Sequence, residues 1–182
     1  MTSIFLQDDL KEELEKILGE MSLKDPNKPK EHTGIKVYEQ AIPKIRIDYG
    51  NRNEEEEEDQ SEEPFPYIII KLDSGKIMNE EEAAKVELLI ATYDDDLKNQ
   101  GHKDILNIIN KIYERFYKNP MLANKYYRVN DIDWVLQDDD MYPYFYGAMG
   151  MEFKVRMFKK EDSLAWQQRK IQQKLQRQKK LQ

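Results

Sequence analysis

Residues 144–158, YFYGAMGMEFKVRMF, alternate along almost their whole length, and this constrains the fold more than any other stretch of the chain. Phe145, Gly147, Met149, Met151, Phe153 and Val155 fall on one side, and Tyr146, Ala148, Gly150, Glu152, Lys154 and Arg156 on the other. A period of two over that length is a β-strand with one face turned to a core. Such a strand needs neighbours to pair with and a layer to cover its apolar side. Its glycines predict a bulge or a close backbone neighbour. The preceding Val129, Ile132, Trp134 and Leu136 predict a strand that loses strict alternation near Asp131, and Gln137 to Asp140 predict a turn that makes the two a hairpin.

Further strands are predicted upstream. Ile35 to Tyr38 is a short candidate, and Ile45, Ile47 and Tyr49 alternate with polar neighbours, with Pro43 pushing that segment to an edge or a start. PFPYIIIKLDSG is a continuous apolar run bounded by prolines and by Asp73-Ser74-Gly75, rich in β-branched residues and too short for a helix, so it predicts a central strand ending in a turn. Val86, Leu88 and Ile90 alternate with Glu87, Leu89 and Ala91 and predict another strand, ending in Asp94-Asp95-Asp96.

Two helices should cover this sheet. From Asp8 onward, Leu10, Leu14, Ile17 and Met21 share a helical face, with Asp8 and Asp9 suited to a positive N-terminal end. Pro26 and Pro29 should close that helix, leaving Lys24 to His32 as a linker. The second helix opens near Gly101 and carries Asp104 in its first turn. It repeats Ile105, Ile109, Ile112 and Phe116 and stops at Asn119-Pro120. The expectation is an α/β (α+β) domain over residues 1–158, with a mainly antiparallel sheet packed by two helices. The 182 residues suffice for one such body and fall short of two full-sized cores.

Charge marks two departures from this body. Residues 54–63 place eight carboxylates in ten positions with no apolar residue to bury, so residues 50–64 are expected to be a solvated acidic loop. That loop is either a solubilising insertion or, through Glu54, Glu55, Glu56, Glu57, Glu58 and Asp59, the lining of an anion-repelling surface. Residues 159–182 hold eight Lys/Arg against two acids, a charge of +6. The whole chain carries −7, which leaves −13 on residues 1–158. From Ser163 this tail has strong helix formers, no Gly or Pro, and a sparse seam of Leu164, Ile171 and Leu175. It predicts a helix that folds on a partner, with Arg169, Lys170, Lys174 and Arg177 as charged contacts and Trp166, Ile171 and Leu175 as apolar anchors. The alternative is a frayed, solvated helix.

Several kinds of chemistry find little support. There are no cysteines, so disulfides, thiolate zinc sites and cysteine nucleophiles are excluded. With His32 and His102 the only histidines, triad chemistry has little to draw on. The triplets Glu80-Glu81-Glu82, Asp94-Asp95-Asp96 and Asp138-Asp139-Asp140 could each offer oxygen ligands to a divalent ion. They flank elements, where acids also cap and solvate. No Gly-rich phosphate loop precedes Gly75-Lys76, so the reading is of a non-enzyme without cofactor or functional metal. The aromatic residues Tyr142, Tyr144, Phe145, Tyr146, Tyr126, Tyr127 and Trp134 could stack on bases, but the acidic body opposes phosphate, favouring packing at core and interfaces. No apolar run approaches the roughly 20 residues of a membrane span, and the acidic N-terminal stretch is unlike a signal peptide, so a cytoplasmic setting is expected.

The element order, the strand end Ile90-Ala91-Thr92-Tyr93-Asp94, and Gln100-Gly101-His102-Lys103-Asp104-Ile105-Leu106 opening a helix resemble tail terminator, or tail completion, proteins of long-tailed bacteriophages. So does the closing hairpin, from Trp134-Val135-Leu136 through the acidic turn to Pro143-Tyr144-Phe145-Tyr146-Gly147 and Met151-Glu152-Phe153. The resemblance covers residues 66–158. It implies a homo-hexameric ring on the last tail-tube ring, in the tail or neck of a virion assembled in the host cytoplasm. The ring would stop tube polymerisation and present a docking surface to neck, head-completion or sheath proteins, while DNA passes its lumen without specific binding. The acidic loop and basic tail depart from the plainest members of that family. Two other classes predict different behaviour: a divalent-metal nuclease of a mobile element, using Asp94 to Asp96 or Asp73, and a nucleic-acid adaptor acting through the basic tail.

Overall fold

A computed structural model of the chain describes residues 3–43, 64–78 and 81–156. The elements run α1 (Ser3–Leu18), β1 (Ser22–Asp25), β2 (Lys28–Gly34), β3 (Lys36–Glu39), β4 (Tyr67–Met78), β5 (Glu81–Tyr93), α2 (His102–Lys118), β6 (Met121–Leu122), β7 (Tyr126–Leu136) and β8 (Tyr144–Arg156). Strands β3 to β8 form one six-stranded sheet in the order β3-β4-β5-β8-β7-β6, and β1 and β2 form a separate hairpin. Only the β3–β4 pair is parallel; the other pairs are antiparallel. The chain is thus an α+β fold with two helices on a mostly antiparallel sheet.

Both helices lie on one face. Helix α2 buries Ile105, Ile108, Ile109, Ile112 and Phe116. Helix α1 buries Leu6, Leu10, Leu14 and Leu18, a strict four-residue stripe. They meet Ile68 and Ile70 of β4, Val86, Leu88 and Ile90 of β5, and Met149, Met151 and Phe153 of β8 in a single core. Phe116 and Phe153 close it edge to face, with ring centroids 5.6 Å apart.

The long alternation of β8 follows from its place. It pairs with β5 along Tyr144 to Arg156 and with β7 on its other side. Gly147 is needed for a close approach: a Cβ there would lie 2.6 Å from Ile105 Cγ2 and 3.1 Å from the Val135 carbonyl oxygen. Gly150 faces open space instead. The lost alternation of β7 is a register shift between Val129 and Asp133, with Asn130 at φ 61°.

Four expectations need correction. Helix α1 starts five residues before Asp8, so Asp8 and Asp9 sit within it, and Met21 lies beyond its end. Leu6, buried in the core one helical repeat before Leu10, carries the helix upstream, and Asp9 serves instead as an ion-pair partner of Lys125 at 2.9 Å. Lys24 to His32 is a hairpin and not a linker: Asp25 Oδ1 accepts bonds from the Asn27 backbone N–H (2.9 Å) and Asn27 Nδ2 (3.0 Å), folding the chain back through Pro26. Asp73-Ser74-Gly75 does not end its strand; β4 absorbs it as a bulge between Leu72 and Ser74 and pairs with β5 on to Met78. Glu81 and Glu82, placed before an element by sequence, are the first residues of β5. The strand expected at Ile45, Ile47 and Tyr49 lies outside the described residues.

Candidate functional site: the helix-free face of the sheet

The second face of the sheet carries no helix among the described residues, yet half of it is apolar. Alternation that sends Ile68, Ile70, Leu88, Ile90, Met149 and Met151 to the core sends Tyr67, Ile69, Leu89, Ala91, Tyr146 and Ala148 outward. Register joins them into rows. Ile69, Leu89, Ala148 and Val135 are successive partners across four strands, and Tyr67, Ala91 and Tyr146 form the next row. With alanines between larger side chains, the surface dips into a groove of about 340 Å³ lined by these residues and by Gln137. Gly150, where an added Cβ would meet no atom within 4 Å, extends the low ground along β8.

Beside the groove the aromatic side chains form a cluster. Phe65 packs on Tyr67 (5.1 Å between centroids), Tyr144 (4.9 Å) and Tyr146 (6.1 Å); Tyr93 meets Tyr144 at 5.6 Å and Tyr38 meets Tyr67 at 6.4 Å. Burial pushes the Tyr67 hydroxyl up from its ordinary pKa, with Tyr146 adding to the effect. The aromatic patch of the sequence is therefore split. Tyr126 is wholly in the core, Tyr144 and Tyr146 join the cluster, and Tyr127, Trp134 and Tyr142 are exposed.

The free side of β7 is the other notable surface. Strand β6 pairs only with Tyr126 and Tyr127, so among the described residues Val129 and Asp133 to Leu136 have a strand partner on the β8 side alone. Trp134 and Val135 there are 55% and 60% exposed, and Met141 and Tyr142 on the following loop are exposed as well. Asp131 and Asp133 on the strand and Asp138, Asp139 and Asp140 beyond it are exposed, and no ion pair of theirs occurs among the described residues.

The acidic triplets are scattered or already engaged. Lys24 Nζ donates to Asp94 Oδ1 (2.6 Å) and Asp95 Oδ1 (2.7 Å), while the Tyr142 hydroxyl donates to the Asp95 carbonyl at 2.8 Å. Hydrogen bonds to Asp94 and Asp95 raise the Lys24 pKa, and the Lys24 bond lowers that of Asp95. Burial, and then the Asp94 charge, raise that of Asp104. Among the described residues no three His, Cys, Asp or Glu side chains are grouped to hold a metal ion. No described helix is long and apolar enough to cross a membrane.

Sequence reasoning placed the residues of this face on their strands but did not see the groove, which depends on which strands become neighbours. Its signal was the apolar character of both sides of β4 and β5, in Ile68-Ile69-Ile70 and Leu88-Leu89-Ile90. The expected contacts at Trp166, Arg169, Lys170, Ile171, Lys174, Leu175 and Arg177, and the acidic patch at Glu54 to Asp59, lie outside the described residues. No protein-family model matches this sequence. No curated protein matches it either.

Proposed function

We propose that this chain is a structural virion protein whose copies form a hexameric ring on the end of a phage tail tube, ending tube growth and offering the docking surface for the neck or head. One observation carries the reading: the closing β7–β8 hairpin, part of the sequence that resembles tail terminators, presents a strand edge with exposed Trp134, Val135, Met141 and Tyr142. A strand edge bordered by large apolar side chains is a surface made for another chain. Heterologous contact through one such edge, repeated by rotation, closes a ring. The two-helix, mainly antiparallel α+β fold is also what the resemblance implies. In this reading the partners are further copies, the tube protein, and neck, head-completion or sheath proteins, in a virion assembled in the bacterial cytoplasm.

The test is electron microscopy of tail-tube protein polymerising with and without the chain. Tubes of fixed length with a ring at one end are the expected outcome, and Trp134→Glu should lower the fraction of capped tubes at least tenfold while the subunit stays folded. Tubes of unaltered length distribution with wild-type protein would count against the proposal.

A further inference from the structure

Each end of the six-stranded sheet offers a stretch of strand bonded along one side only. Among the described residues β3 pairs with β4 alone, and Asp133 to Leu136 of β7 pair with β8 alone. Strands β3, β4 and β8 run one way, and β5 and β7 run the other. A second copy set beside the first in the same orientation therefore brings its β3 antiparallel to β7.

The backbone groups of the two edges fit. The Lys36 and Gln40 N–H groups donate to the carbonyls of Pro66 (3.0 Å) and Ile70 (2.8 Å), so the polar groups of Ile35 and Val37 point to the free side of β3. The Gln137 N–H donates to the Tyr146 carbonyl of β8 (3.1 Å), so those of Trp134 and Leu136 point to the free side of β7. The same four residues lie on the helix-covered side. Val37 is in the core, Ile35 and Leu136 pack against it, and Trp134, two positions from Leu136, shares its side. Opposed residues of an antiparallel pair share a face, and alternate pairs exchange both hydrogen bonds. Val37 set opposite Trp134 puts Ile35 opposite Leu136, satisfies both sets of free groups and carries the core of one copy into the next. On the other face Tyr38 then falls opposite Asp133, and Lys36 opposite Val135.

Charge selects this partner over a second β7. Asp131 and Asp133 are exposed on β7, with Asp138, Asp139 and Asp140 beyond it, and two such edges together would set these acids against each other. Lys36 has no ion pair among the described residues, and in the register above it lies diagonally across from Asp133, within reach of a long side chain. We infer that the occupant of the β7 edge is β3 of a second copy, paired antiparallel with Val37 opposite Trp134, so that the sheet continues from subunit to subunit. The inference rests on the ring reading for its closure by rotation, and it names the second of the two surfaces that a head-to-tail contact needs.

The absence of native cysteine allows a direct test. Full-length Lys36→Cys and Val135→Cys proteins are mixed and oxidised at submillimolar concentration. The expected product is the mixed dimer, formed at least tenfold faster than either homodimer and than the product of Val135→Cys with Asn110→Cys, on the exposed side of α2. Equal rates would overturn the inference, and so would a Val135→Cys homodimer that forms faster than the mixed one. Tube capping by the parent protein, scored alongside, separates the two readings. Capped tubes without the mixed dimer would overturn the β3 contact and leave the ring; the mixed dimer without capped tubes would uphold the contact and remove the terminator. If Lys36→Cys impairs folding, judged by thermal melting, an exchange of charge replaces it. Asp133→Lys and Lys36→Asp chains each set like charges across the contact when alone, and should sediment as larger assemblies only when mixed. No gain on mixing would overturn the inference.

Discussion

Two cations do more for the fold than their positions in the sequence suggest. Arg115 on α2 pairs with Glu13 of α1 and donates to the carbonyls of Asn119 (2.6 Å) and Met121 (3.2 Å). Its guanidinium also lies 5.1 Å from the Phe116 ring centroid. It ties both helices to the start of β6. Because charged hydrogen bonds to partly buried groups contribute more than neutral ones, Arg115→Ala should cost about 2 kcal/mol in urea unfolding, and Arg115→Lys should recover less than half of that. Lys24 acts on pH dependence. It depresses the Asp95 pKa, so this contribution is present above the unfolded aspartate value of about 3.9 and is lost as pH falls through the lower folded value. The raised Lys24 pKa has the opposite sense: its contribution is present below the unfolded lysine value of about 10.4 and is lost as pH rises through the folded one. Unfolding of Lys24→Ala beside the parent should show a gap in midpoint that is constant from about pH 5 to 9 and narrows as pH falls below about 4. A gap that persists undiminished at pH 3 would mean that Lys24 acts through packing. Neither role is legible in the sequence, since Lys24 and Arg115 reach acids 70 or more and 102 positions away.

The elements read best from sequence are those with one buried face and a long period: α2, β5, β7 and β8. Those read worst are short. The β1–β2 hairpin has little alternation to detect; it is set by the Asp25 turn, by Leu23 in the core and by Lys24 reaching Asp94 and Asp95. Strand β6 has two residues and exists because a tight turn centred on Ala123 and Asn124 sends β7 back beside it. That turn places Ala123 at φ 48° and Asn124 at φ 54°, and the Lys125 N–H closes it on the Leu122 carbonyl at 2.9 Å. Both central residues are left-handed, as a type I′ turn requires, and only the asparagine is suited to it. Alanine there costs about 1 kcal/mol of backbone strain. Ala123→Gly should therefore stabilise the protein by about 0.5 kcal/mol, the added freedom of the unfolded chain offsetting the rest of the relief. An unchanged or lowered unfolding midpoint would show that the turn relaxes in solution.

Across the molecule, stability should be greatest at the middle of the sheet and fall toward its edges. Strands β5 and β8 are paired on both sides over long stretches, whereas β3 has four residues and β6 two. Native-state hydrogen exchange should find amides of Leu88 to Ala91 and of Ala148 to Met151 exchanging only through global unfolding, with those of β3 and β6 opening at least tenfold more readily. Uniform protection would contradict this layered picture. The same geometry separates what was legible from what was not. By itself the sequence determined the fold class, the two helices, the main strands and the inward side of β8, because each rests on a period local to one segment and on apolar area that must leave water. Only the tertiary structure decided which strands are neighbours, that β8 lies between β5 and β7, and that both helices share one side. Pairing across the sheet is chosen by the sum of contacts between segments distant in the chain, which no local period encodes. The groove, the open β7 edge and the reach of Lys24 all follow from that choice.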